Sequence, residues 1–234
     1  MHRYLGLALL SSLILLPLAE GGGAKGTDAK EALTELQAFI GGWKGGGSLD
    51  KDKSVWKEDV NWSWRFKEKD VWLSFNFEKS KVLKSGEIRY LPNKSVYEMT
   101  TVDAKGNKAV YEGKLVKGTL QAERTNPETK DVEQVKINTA ADGVRLIWGY
   151  FVKPANRTIA SRQYQLQYTK EGESFGVAAG KKGPECVVTG GLGTMPVSFN
   201  GQTYYVCCTG CRDAFNENPA KILKEYAERK KKER

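Results

Sequence analysis

From Trp43 to about Thr169 the chain alternates apolar and polar residues with a period of two. Val60, Trp62, Trp64 and Phe66 fall on one face of a run, and Val71, Leu73, Phe75 and Phe77 on one face of the next. Further on, Val144, Leu146, Trp148, Tyr150 and Val152 share a face, as do Tyr164, Leu166 and Tyr168. Successive strand side chains point to opposite sides, so each run predicts a half-buried strand. Turn signals at Lys84-Ser85-Gly86, Leu91-Pro92-Asn93, Ala104-Lys105-Gly106-Asn107, Asn126-Pro127-Glu128 and Ala141-Asp142-Gly143 divide the stretch into about nine or ten antiparallel strands. A meander of this length closes most economically into a barrel, one face filled with aromatics and the other wet. The fold class expected is mainly β. Ahead of the barrel, residues 27–40 carry Leu33, Leu36, Phe39 and Ile40 at helical spacing, with Thr27 or Asp28 to cap. They predict a short amphipathic helix stopped by Gly41-Gly42.

The alternation ends near residue 170, and residues 171–183 are rich in glycine and lysine, which reads as a linker between two separable parts. Residues 184–227 then hold every cysteine of the chain: Cys186, Cys207, Cys208 and Cys211. A glycine-rich turn follows Cys186. Two β-prone runs around Val197 to Phe199 and Thr203 to Val206 flank Asn200-Gly201, the strongest short-range hairpin signal. Arg212 to Phe215 and Pro219 to Ala227 read as helix. A hairpin between Cys186 and Cys207 brings its own ends together, and Cys207 and Cys211 lie one helical turn apart, so three thiolates can converge on one point. Cys208 either supplies a fourth ligand or points into the small core. Such a set suits Zn(II), Cu(I) and other soft metals. A module of about forty residues buries too little apolar surface to stand alone, so a metal clip or disulfides are expected on physical grounds. The alternative is two disulfides among the four cysteines.

The pattern Cys186-x20-Cys207-x3-Cys211 has Tyr204-Tyr205-Val206-Cys207-Cys208 before its last pair and Phe215, Asn218-Pro219 and Ile222-Leu223 after it. It resembles the TRASH/YHS group of small treble-clef-like α+β domains. That resemblance implies heavy-metal binding in trafficking, resistance or sensing, with ligand roles for Cys186, Cys207 and Cys211, and Cys208 matching the doubled cysteine of these domains. Some members are structural or partner-binding modules.

The opening Leu36-x-x-Phe39-Ile40-Gly41-Gly42-Trp43-Lys44-Gly45 resembles the start of calycin-type barrels, the lipocalin-like and nitrobindin-like group. The resemblance implies a short helix leading into a barrel over residues 27–170, with the tryptophan plugging the floor. In nitrobindin-like members a histidine holds heme, and here that carry-over fails. Two readings of the interior stay open: a small apolar ligand, or packing by the barrel's own side chains.

Residues 1–24 have a basic start, an apolar run from Leu5 to Leu18 and small residues ahead of a cut after Ala24, the layout of a secretory signal peptide. A secreted or periplasmic protein is expected. His2, the one histidine in the chain, leaves with that peptide, so the mature chain has no imidazole for a Ser-His or Cys-His pair, for heme or for zinc. With the acidic residues scattered singly, no acid-base constellation is visible, and the expectation is that the protein is not an enzyme. The formal net charge is +9. Part of it lies in the tail at 228–234, where a solvated helix end is the plain reading; weak contact with an anionic surface is compatible with it, and nucleic-acid binding is not expected beside a secretory signal.

Overall fold

A computed structural model describes residues 28–172 and 183–233. The expected signal peptide at 1–24, the centre of the expected linker and Arg234 lie outside the described residues. Ten strands run in chain order: β1 Gly41–Leu49, β2 Val55–Lys67, β3 Asp70–Glu78, β4 Leu83–Leu91, β5 Val96–Asp103, β6 Lys108–Val116, β7 Thr119–Thr125, β8 Val132–Ala140, β9 Arg145–Lys153 and β10 Ser161–Lys170. Each pairs antiparallel with its neighbours, and β10 pairs back onto β1 to close the barrel. Closure leaves no edge strand exposed to pair with another chain.

The sequence alternation sets the register. Val60 lies opposite Phe77, Trp62 opposite Phe75, Trp64 opposite Leu73 and Phe66 opposite Val71, so two predicted faces meet residue for residue. On the far side, Leu166 faces Trp148 and Tyr168 faces Leu146. Trp62, Trp64, Leu73, Phe75, Leu146, Trp148 and Leu166 are buried, while the residues at the ends of the predicted faces, such as Phe66, Val71, Tyr150 and Tyr164, are half-buried near the rims. The centre is filled by ring-on-ring packing: Phe39 lies 5.4 Å from Trp62, Trp62 4.6 Å from Phe75 and Phe75 5.4 Å from Trp148. Each such pair adds about 0.5–1.5 kcal/mol beyond the area it buries.

The predicted N-terminal helix is present but shorter and broken. α1 covers Ala29–Thr34, with the Asp28 side chain accepting from the Lys30 amide, and a separate 3-10 turn spans Gln37–Phe39. The break has a tertiary cause. Tyr97 donates its hydroxyl to the Ala32 carbonyl at 2.7 Å, and the Trp43 indole donates to the Phe39 carbonyl at 2.8 Å. The chain must bend between these anchors to lower Phe39 onto Trp62, and Gly41, at φ +121°, makes the turn into β1.

The C-terminal part forms a hairpin of β11 Met195–Phe199 and β12 Gln202–Val206, then α2 Thr209–Glu217 and α3 Pro219–Lys232. Asn200 and Gly201 carry the turn at φ +50° and +76°, the left-handed pair that a two-residue hairpin requires. Asn218 ends α2 and caps α3 by accepting from the Lys221 amide. The C-terminal part packs on the barrel and shares its core. α2 lies across β2, and Cys208, Cys211, Val206 and Phe215 belong to the same buried cluster as Trp62 and Trp64. Among the described residues, no helix is long and apolar enough to cross a membrane.

Gly210 is the closest point of that seat, because a Cβ there would stand 1.8 Å from the Trp64 carbonyl oxygen. Backbone cannot swing aside as a side chain does. Gly210→Ala is expected to lift α2 off β2 and destabilise the protein by about 1–3 kcal/mol. The readout is one thermal transition moved to lower temperature; an unchanged melt would mean that α2 is not seated there.

Candidate metal centre

The first wall of the site is a knuckle built on backbone hydrogen bonds. The Cys186 amide donates to the Gly191 carbonyl at 2.6 Å, and the Gly190 amide donates back to the Cys186 carbonyl at 2.9 Å. Gly190, at φ +82°, allows the reversal. The Val187 amide donates to the Tyr205 carbonyl, which fixes the knuckle beside β12. The second wall begins where β12 ends. Cys207 follows the strand, Cys208 is the N-cap of α2, and Cys211 sits in its first turn.

These two walls bring three of the four cysteines together. The sulfurs of Cys186, Cys207 and Cys211 all lie within 4.8 Å of one another, with Cys207 and Cys211 at 3.5 Å. Sulfurs bound tetrahedrally at ~2.3 Å from a metal are ~3.8 Å apart, so a thiolate-preferring ion fits with shifts of a few tenths of an ångström to about one ångström. Cys208 is buried but does not belong to the converging set. All four are free thiols.

The electrostatics of the cluster are internal. Hydrogen bonds from Cys207 and Cys211 hold the Cys186 thiol well below the ordinary thiol range, against its burial and with help from Thr189. Cys207 and Cys211 are pushed far above the ordinary thiol range, chiefly because they act as donors to Cys186 and its neighbours, with burial adding to the effect. Cys208 is held below the ordinary thiol range by Cys207 and Cys211, with further hydrogen bonds involving the backbone of Cys211 and Trp64. The cluster therefore releases its first protons easily and its last with difficulty. Repulsion between crowded thiolates resists the last step, and a cation at their centre removes that resistance. The free amides at the start of α2 favour negative charge at the same place.

Four supporting residues carried no signal in the sequence. The Thr189 hydroxyl lies 3.5 Å from the Cys207 sulfur. Gln37 accepts from the Trp64 indole at 2.9 Å and fills the space beside Gly191, where a Cβ would stand 2.3 Å from its amide nitrogen. Arg229 spreads its guanidinium under the knuckle, donating to the carbonyls of Cys186, Val187 and Val188 at 3.2, 3.4 and 3.5 Å and pairing with Glu185 at 3.1 Å. Lys230 also pairs with Glu185, at 2.8 Å. The solvated tail end expected at 228–234 is thus corrected: α3 continues to Lys232, and two of its cations hold the cysteine knuckle. Nothing local distinguishes Arg229 from the lysines around it. Its role depends on a contact 43 residues away in the chain.

The remaining opening of the barrel lies at the end away from α2, a cavity of about 360 Å³ bordered by Thr101, Tyr111, Arg124, Glu133, Tyr150 and Tyr164. Burial alone would raise the Glu133 carboxyl, but the Arg124 fork, Asn126 and the Tyr111 hydroxyl hold it below the usual carboxylate range. An ion pair and tyrosine hydroxyls face this opening, and the aromatic stack closes the interior beneath it.

No known protein family's sequence profile matches the chain, and no curated protein does. A solved structure, that of Rv2717c from M. tuberculosis, aligns with 62% of this chain and 99% of its own at 13% identity and a TM-score of 0.39. That likeness is too distant to carry a functional argument, and the site must be judged on its own geometry.

The shared protons of the cluster are directly measurable. In metal-free protein, thiolate ultraviolet absorbance should persist well below the pH of an ordinary thiol, near 8.5, because the Cys186 thiolate accepts from its neighbours. Cys211→Ser and Cys207→Ser should each reduce the thiolate signal that remains in acid. A single step near the ordinary value in the intact protein would show that the sulfurs do not share protons.

Proposed function

We propose that this is a secreted or periplasmic, non-enzymatic protein that binds one soft metal ion, Zn(II) or Cu(I), and serves metal trafficking, resistance or sensing. The observation that carries this reading is the convergence of Cys186, Cys207 and Cys211 within 4.8 Å on a scaffold that buries all three. Soft thiolates with no imidazole or carboxylate among them select Zn(II) or Cu(I) over hard ions. The residues that would hold the ion are Cys186, Cys207 and Cys211, while Cys208, at the N-cap of α2, is an auxiliary thiol. The bound ion would act as cargo or signal. The runner-up, a small apolar ligand in the barrel with the cysteines as a structural clip, is disfavoured by the filled aromatic interior and the ion pair at the remaining opening. No nucleic-acid partner is proposed, and weak attraction to anionic surfaces would rest on Lys231 and Lys232.

Metal-free protein should take up one equivalent of Zn(II) or Cu(I) per chain with release of protons. Cys186→Ser, Cys207→Ser and Cys211→Ser should each abolish tight binding, and Cys208→Ser should weaken it less. Affinity should fall as pH drops, since each bound thiolate must compete with protons, and it should rise as the pH passes the ordinary thiol range. Isothermal titration across pH reads all three effects; uptake that survives Cys186→Ser, or protein isolated with its sulfurs in disulfides, would refute the assignment.

Arg229 supplies a second, independent check. It touches no sulfur but ties α3 to the knuckle, so Arg229→Ala should lower the thermal transition by only a few degrees while metal affinity falls by about 10- to 100-fold, the usual effect of losing a group that orients a ligand. Arg229→Lys keeps the charge without the planar fork and should recover part of the loss.

A further inference from the structure

Access to the cluster is one-sided. Cys186 and Cys211 are 0% exposed, whereas Cys207 is 8% exposed and forms part of the wall of a groove of about 320 Å³ between the barrel rim and the knuckle. Gln37, Gly42 and Glu171 line the barrel side of this groove, and Leu192 and Thr194 the knuckle side. The Thr194 hydroxyl donates to the Cys207 carbonyl at 3.4 Å, and Gln37 is fixed by the Trp64 indole, so the inner walls are held in place. Leu192 stands at the lip, 42% exposed, and Glu171 pairs at the rim with Lys44 at 3.0 Å. The volume is at the lower end of the range for small-ligand sites, ~300–1,000 Å³.

We propose that this groove is a ligand-exchange port, through which a small, charged, peptide-like thiol reaches the metal centre and takes the metal away beside Cys207. The inference rests on the metal-binding reading above and adds the route and the chemical class of the acceptor. Three converging thiolates leave a tetrahedral ion one further position, and Cys207 is the member of the set that borders the groove. A thiol matches the ion's softness, and amide, hydroxyl and ion-pair groups on the walls favour a peptide-like carrier over an alkyl one. In the exchange step the incoming thiol loses its proton to solvent and its sulfur bonds to the metal. The bond from Cys207 to the metal then breaks, and Cys207 takes up a proton; further incoming donors displace Cys186 and Cys211 in the same way, each taking up a proton, before the ion leaves. No electrons are transferred, and the oxidation state of the metal is unchanged.

The full chain loaded with Zn(II), mixed with a chromophoric chelator and increasing glutathione, tests the port. Metal transfer should accelerate in proportion to glutathione, and S-methylglutathione, which lacks the thiol, should not accelerate it. Ala38→Trp and Leu192→Trp place bulk at an exposed groove position and at the lip without touching a sulfur. Each should slow the glutathione-dependent rate by about tenfold or more while the equilibrium affinity for Zn(II) and the thermal melt stay unchanged. A transfer rate independent of glutathione, or equal in both variants and the parent, would overturn the port while leaving the metal site intact. A chain that binds no Zn(II) at all would overturn the function itself.

Discussion

The contact on which the rest depends is that of α2 with β2, where Gly210 rests against the Trp64 backbone. Cys208 and Cys211 flank that glycine, and Cys207 enters α2 from the strand before it. Seating the helix on the barrel therefore fixes two of the three converging sulfurs on a rigid platform. Only the Cys186 knuckle then has to be brought up to meet them. A forty-residue piece buries too little to do this alone, and here the aromatic floor of the barrel supplies the missing core.

The knuckle is held by apolar and polar contacts together. Cys186, Val187 and Val188 are buried in the core cluster shared with the barrel. Its carbonyls gather on Arg229, its backbone pairs with β12, and Gln37 wedges beside Gly191. α3 carries no buried residue, so its attachment depends on that guanidinium, on Lys230 and on half-buried Ile222, Leu223 and Tyr226. The charge of the tail that resembles a solvated surface in the sequence is largely structural at two positions. Exposed ion pairs contribute little, but a planar fork donating to three carbonyls has both geometry and partial burial in its favour.

Legibility in the sequence followed the range of the interactions. The barrel was readable because period-two alternation is local and repeats over ten strands, and its register followed because a shift of one residue would turn Trp62, Phe75 and Trp148 to solvent. The hairpin was readable from Asn200-Gly201, and the cysteine cluster from spacing alone. Missing were the break of the N-terminal helix, which answers to Tyr97 and Trp43, the shared core, which depends on the fit of one glycine to one carbonyl, and Arg229. Each of these is set by residues distant in the chain, and a single sequence gives no sign of such pairings. The glycine- and lysine-rich composition of 171–183 describes the connecting chain and carries no information on whether the parts it joins pack together.

A shared core also changes what metal loss should do. In a free-standing thiolate module the ion is the core, and removing it unfolds the chain. Here Val206, Phe215 and the floor tryptophans are buried together, so the hydrophobic term that holds α2 and β12 persists when the sulfurs are protonated. The unmetallated cluster is itself supported by hydrogen bonds among its thiols and from Thr189. The energy that a small zinc module would draw from its metal comes in this protein from the barrel. A thiolate site relieved of that structural duty meets the physical condition for an exchangeable centre, since loading and unloading an ion there would need no folding transition.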